Sequence, residues 1–376
     1  MRNLLARVCL LVPLAAPTWA QSQAVQAPAV VSPEVMADHR VAFRLYAPKA
    51  TEVTLAGSFW LQEGRTERMA KDDQGIWSFT TEPLPADYYS YWFTVDGMRI
   101  PDPANGRIKP GSRRTQSAFS VAGPESALLE AAPVPHGEVR IVVYPSAVTG
   151  TPRRMHIYFP PGYETGQARH PVVYLFHGGG DSDDAWTAIG RANFMLDNLI
   201  AQGKAKAMIV VMPSLWALDP EVVTGQGRRD ENRELFQKDL LEGILPYVEG
   251  HYRVLGEPEN RALGGLGVGR DFLPNVALAT LGTFRYVFHT SGGVDPEWLP
   301  VFAKKYPGVL DNPENARRVR FFVGNGAHDH SNPSAKLWVK ELRNRGYEAT
   351  YFESNGIHEW PWFRRYFAEF AQLAFR

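Results

Sequence analysis

"VVYLFHGGGDSDDAW" (Val172–Trp186) and "RALGGLGVGR" (Arg261–Arg270) each read as a short strand that runs straight into a glycine-rich turn. Apolar runs of this length, without polar alternation, suit strands buried on both faces, as in a parallel sheet covered by helices. Working outward, the same pattern recurs at "MHIYF" (Met155–Phe159), "AMIVVM" (Ala207–Met212), "YVFHT" (Tyr286–Thr290), "RFFVG" (Arg320–Gly324) and "ATYFE" (Ala349–Glu353). Amphipathic stretches fill the gaps. One, from about Arg233, places Phe236, Leu240, Ile244 and Tyr247 at helical spacing, and the last is expected from Trp362 to Ala374. Residues 137–376 are therefore expected to form a mostly parallel α/β domain.

Upstream the rhythm changes to period two. Val41, Phe43 and Leu45 alternate with Ala42, Arg44 and Tyr46, and "EVTLAGSF", "GIWSFT" and "YYSYWFTVDG" follow between Pro, Gly and Asp turn signals. This pattern predicts an antiparallel β-sandwich over residues 32–122. Trp60, Trp77, Tyr91 and Trp92 could stack on sugar rings, although alternation turns half the aromatics of any strand into the core. At the start, Arg2 and Arg7, the apolar run Val8–Ala16 and the small residues before Gln21 read as a secretory signal over residues 1–20. The chain is thus expected to be secreted or periplasmic, with no membrane attachment after signal cleavage.

The chain has 376 residues, with 40 Lys and Arg against 40 Asp and Glu, so no net charge draws it to nucleic acid. Its single cysteine, Cys9, falls inside the signal, which excludes disulfides and thiolate chemistry from the mature protein.

In an open α/β sheet the chemistry gathers beyond the carboxyl ends of the strands. After Phe176 stands His177-Gly178-Gly179-Gly180, either a tight turn or a set of free backbone N–H groups of the oxyanion-hole type. The strand Arg261–Leu266 runs into Gly265-Leu266-Gly267-Val268-Gly269, the small-residue frame of a nucleophile elbow with glycine at its centre. Asp329 follows the strand ending at Gly324, and His358 precedes the final helix. Elbow, Asp and His in that order are the order of α/β hydrolases. His328 and His330 flank Asp329, but nothing nearby in sequence supplies further donors at a metal-binding spacing, so neither metal nor cofactor is expected.

The phrases "RRMHIYFPPGY", "PVVYLFHGGGDSDDAW", "FQKDLLEGILPYVEGHYRV" and "GIHEWPWFRRYFAEFAQLAFR" resemble carbohydrate esterase family 1, the feruloyl and acetyl-xylan esterase group. "VAFRLYAPKATEVTLAGSF" and "YYSYWFTVDGMRIPDPAN" resemble the sandwich modules of the glycogen-branching-enzyme type. Together they imply an α/β-hydrolase fold behind an N-terminal immunoglobulin-like β-sandwich, and a polysaccharide or a hydroxycinnamoyl or acetyl ester as ligand. The resemblance implies further that Asp329 and His358 are the acid and base of a triad, and that the Gly179 and Val268 amides form the oxyanion hole. It places Trp186 and Trp360 near the acyl or sugar site.

One departure is central. Where the family's elbow reads Gly-Leu-Ser-Met-Gly-Gly, this chain has Gly265-Leu266-Gly267-Val268-Gly269-Arg270. The expectation is a degenerate, non-hydrolysing esterase; the alternative is an active enzyme using Ser291, Ser214 or an activated water.

Overall fold

The computed structural model describes residues 28–266 and 272–376. The signal segment and the elbow residues Gly267, Val268 and Arg270 lie outside the described residues.

The N-terminal unit contains β1 (Glu34–Val35), β2 (Val41–Tyr46), β3 (Val53–Gly57), β4 (Thr66–Arg68) and β5 (Ala70–Lys71), followed by β6 (Ile76–Thr80), β7 (Asp87–Val95), β8 (Met98–Ile100), β9 (Ile108–Lys109) and β10 (Gln116–Val121). They form two sheets, in the orders β1-β2-β6-β5 and β4-β3-β7-β10-β9, with β8 on the side of β7. Between the sheets lie Val41, Phe43, Leu45, Val53, Leu55, Tyr91, Phe93 and Phe119, the inward set of the period-two pattern. Trp77 and Tyr91 belong to this core. Trp60 is half-exposed beneath the Arg65 guanidinium, and Trp92 carries Arg99 3.5 Å from its ring centre, so one face of Trp92 is already taken.

The second unit is one eight-stranded sheet: β11 (Glu138–Ser146), β12 (Thr151–Phe159), β13 (Val172–Phe176), β14 (Ile209–Pro213), β15 (Arg261–Leu266), β16 (Tyr286–Thr290), β17 (Arg320–Gly326) and β18 (Glu348–Ser354). Its order is β11-β12-β14-β13-β15-β16-β17-β18, antiparallel at the β11 edge and parallel from β14 to β18. Every residue of β13 and β14 is buried, as their unbroken apolar runs require. Strand β11 was not among the sequence candidates. It is an edge strand whose outward Ile141 and Val143 stay exposed, so its apolar residues do not mark a buried face. The final helix starts two residues earlier than expected, at Trp360, because Pro361 needs no hydrogen-bonding N–H in a first turn.

The two units meet through charges taken out of water. Arg364, fully enclosed on the last helix, pairs with Asp87 at 3.1 Å and donates to the Tyr88 carbonyl at 2.7 Å. Arg365 adds a 2.8 Å contact to the same carboxylate. On another flank Lys109 and Asp181, both nearly enclosed, pair at 2.7 Å. Breaking such a pair costs more than the pair itself contributes, because the surviving charge is stranded in a poor solvent. Asp87→Ala is therefore expected to destabilise the protein by about 3–5 kcal/mol, read as a lowered urea midpoint for the transition reporting on the final helix. A change within 0.5 kcal/mol, about the size of an ordinary surface substitution, would contradict this view of the interface.

Candidate active site

The parallel strands deliver their loops to one edge, and there the structure brings Asp329 and His358 together. Asp329 sits just after β17. Its Oδ1 accepts from the Ser331 backbone N–H at 2.8 Å and from the Ser331 hydroxyl at 2.7 Å, and its Oδ2 lies 3.1 Å from His358 Nδ1. Burial works against the carboxylate, but the His358 hydrogen bond and charge and the Ser331 donors outweigh it, holding Asp329 well below the usual carboxylate range. His358 responds in the opposite direction. Burial disfavours its charged form, yet Asp329, with Glu63 and Glu359 behind it, raises its pKa above the ordinary histidine value. Because Nδ1 faces Asp329, Nε2 is the nitrogen left for a substrate or a water. The ring is steadied edge-on by Phe363, with centroids 5.1 Å apart.

Glu63 was not a sequence candidate. It comes from the sandwich, in the turn between β3 and β4, and its Oε1 accepts the His358 backbone N–H at 3.1 Å while Oε2 lies 3.1 Å from His330 Nδ1. Glu359 is likewise new, and burial pushes it up to about 7 against the favourable charges of Lys109 and His358. No local sequence signal marks either residue, since their partners are set by how the two units dock.

The glycine loop after β13 is anchored at both ends. His177 is buried; its Nε2 accepts the Leu215 N–H at 3.0 Å, so the ring proton is on Nδ1, which donates to the Gly178 carbonyl at 2.8 Å. Burial lowers the His177 pKa and keeps it in this neutral form. A side chain at Gly178 would strike Leu266 at 2.6 Å, whereas one at Gly179 would meet nothing within 4 Å. The backbone at Gly179 is therefore open to an approaching ligand. The sandwich abuts this loop too, since the Ser112 N–H donates to the Gly180 carbonyl at 3.3 Å.

Trp186 and Trp360 are placed elsewhere than on a ligand-facing wall. Both are buried, their rings meet edge to face at 5.1 Å, and the Trp186 N–H donates to the Phe176 carbonyl at 2.9 Å. An indole N–H in a core needs an acceptor, and the end of β13 provides it. Ser214 is engaged locally, its hydroxyl accepting the Trp216 N–H at 3.3 Å. Ser291 is different. It directly follows Thr290, the register partner of Leu266, so it stands one strand beside the elbow and on the side of Asp329. Its φ is +49°, which L residues seldom adopt, and its buried hydroxyl has no hydrogen-bond partner among the described residues.

Relatives place this geometry in a family. The Esterase family matches residues 146–372, and carbohydrate-binding module 48, the isoamylase N-terminal domain, matches residues 29–110. An endo-1,4-β-xylanase/feruloyl esterase of Xylanibacter ruminicola is 30% identical over 352 residues, covering 92% of this chain and 46% of that protein. The chain spans less than half the length of the curated relatives it matches. Among solved structures, a ferulic acid esterase of Anaeromyces mucronatus in complex with ferulic acid has TM-score 0.54 and 24% identity, over 65% of this chain and 93% of that one. The enterobactin esterase of Shigella flexneri, solved in the presence of enterobactin, reaches TM-score 0.64 at 15% identity, over 89% and 92%. With residues 146–372 matched, from the end of β11 through nearly all of the last helix, the chain belongs to the Esterase family and carries a carbohydrate-binding module 48 in front.

Proposed function

We propose that this protein binds ester-bearing plant polysaccharide of the feruloyl or acetyl-xylan type and does not hydrolyse it through an acyl-enzyme. The observation that carries the reading is an Asp329–His358 pair in hydrogen-bond contact, in a chain whose sequence has Gly267 where the family's nucleophile stands. A dyad can orient and polarise, but glycine has no atom with which to form a covalent acyl intermediate. The ligand class is extended from relatives: the Xylanibacter protein is a xylanase/feruloyl esterase, and the Anaeromyces enzyme was solved with ferulic acid. The module in front is of a carbohydrate-binding type, which supports a glycan-linked ester over a free one.

Serine hydrolases deprived of one triad member retain only about 10³ to 10⁴-fold catalysis over water. Turnover of methyl ferulate and acetylated xylan is accordingly expected to be negligible, with measurable retention of feruloylated arabinoxylan oligosaccharides. Gly267→Ser is expected to raise turnover above the wild-type level. A wild-type rate in the ordinary enzyme range, roughly 1 to 10³ per second, would reject the proposal.

The strain and the unpartnered hydroxyl of Ser291 favour one rival, in which that serine serves as a substitute nucleophile. Under this rival, wild-type turnover is substantial and Ser291→Ala abolishes it; equal rates in the two proteins would dismiss it.

We further infer export, from the basic, apolar and small-residue order of residues 1–20. Among the described residues no helix is long and apolar enough to cross a membrane. Mass spectrometry of the protein expressed in its full-length form is expected to place the mature N-terminus near Gln21, and an intact Met1 in the exported fraction would overturn this.

A further inference from the structure

Near neighbours in sequence offer His330 too few companions to hold a metal, but the fold supplies them from far away. The ligand atoms of Asp329, His330 and His358 lie within 4.8 Å of one another. Three donors therefore converge from two separate segments, the loop after β17 and the loop before the last helix. Glu63, from the turn between β3 and β4, backs them with its carboxylate on His330 Nδ1 and on the His358 backbone.

The spacing is that of a coordination shell. Bonds of about 2.0–2.2 Å in a tetrahedron put neighbouring donors roughly 3.3 Å apart. Here His358 Nδ1 and Asp329 Oδ2 are 3.1 Å apart, His330 Nδ1 and Asp329 Oδ1 3.8 Å, and all three ligand atoms lie within 4.8 Å. The imidazole centroids stand 4.6 Å apart and tilted by 40°.

The supports of these donors are also in place. Ser331 fixes one oxygen of Asp329 and leaves Oδ2 toward His358, and the His358 N–H fixes one oxygen of Glu63 and leaves Oε2 toward His330. Such outer contacts orient first ligands and sustain metal affinity. His330 and Glu63 are partly open to solvent, which gives an ion an entry path.

We propose that Asp329, His330 and His358 form a three-donor zinc site, with Glu63 of the sandwich module as an outer partner that orients it. Two imidazoles with one carboxylate suit zinc, whereas magnesium and calcium favour all-oxygen shells. In a chain with a seryl nucleophile, an ion on His358 Nδ1 would take the base away from its acid. With Gly267 at the elbow there is no seryl proton for that base to accept, so coordination sacrifices no acyl-enzyme step.

The test uses the whole chain, freed of metal by chelation and dialysed against Zn²⁺, with content read by elemental analysis; no ester is involved, so the outcome is independent of the catalytic reading. One zinc per chain is expected, and a thermal midpoint that rises with Zn²⁺ but not with Mg²⁺ or Ca²⁺. His330→Ala and Glu63→Gln, both at half-exposed positions and checked for folding by circular dichroism, are each expected to weaken zinc retention at least about tenfold, the loss that even an outer-shell partner can cause. No retained zinc in the wild type, retention equal in the Glu63→Ala/His330→Ala double variant, or a preference for Mg²⁺ or Ca²⁺ would each overturn the proposal.

Discussion

Arg364 has no exposed surface, and its guanidinium is committed to the sandwich through Asp87 and the Tyr88 carbonyl. An enclosed charge of this kind fixes position as well as contact. Displacing the module by an ångström or two would leave Arg364 unpaired in a low-dielectric interior, at a cost of several kcal/mol. Lys109 and Asp181 repeat the arrangement beside the glycine loop that follows β13. With both points held, the turn between β3 and β4 has a defined place, and it brings Glu63 onto His330 and His358. The module thus forms part of the site's wall, and the chemistry available there depends on two sheets that share no strand.

The surroundings of the elbow carry a related cost. Both ring nitrogens of His289, the hydroxyls of Thr290 and Ser291 and the amide oxygen of Asn325 are buried without partners among the described residues. Burial keeps His289 neutral, with its pKa lowered to about 4. Unpaired buried polar atoms are rare and each is costly, so apolar side chains would serve a merely structural strand end better. Together with the left-handed backbone at Ser291, they concentrate unsatisfied polarity and backbone strain at the carboxyl ends of β16 and β17.

Much of this was legible in the sequence because it is local. Apolar runs of five residues gave β13 and β14, period two gave the Val41, Phe43 and Leu45 face, and Asp329 and His358 stood out through their order on successive strand-end loops. The rest depends on separation. Glu63 and His358 are 295 positions apart, and Asp87 and Arg364 277, so no window of sequence contains either contact. Trp186 shows a different limit. Resemblance brought it close to the site, and it is close, but an indole that can reach the Phe176 carbonyl is stable beneath the loops as packing, away from a ligand. His330 was set aside for want of near neighbours, whereas Glu63 reaches it from a module that sequence spacing treats as separate.

The Asp329–His358 contact has a physical explanation. In a complete triad the nucleophile is the end of a chain of hydrogen bonds, while the acid's orientation is set from behind. Here that rear support is Ser331, which gives Asp329 both its backbone N–H and its hydroxyl and favours the ionised carboxylate whether or not a serine faces His358. The carboxylate in turn fixes the imidazole, through Nδ1, in the tautomer that leaves Nε2 outward once the ring is neutral. The hydrogen bonds of this support lie among the described residues Asp329, Ser331 and His358. The orientation of the pair therefore follows from contacts made behind the imidazole, on the side of β17 and its loop.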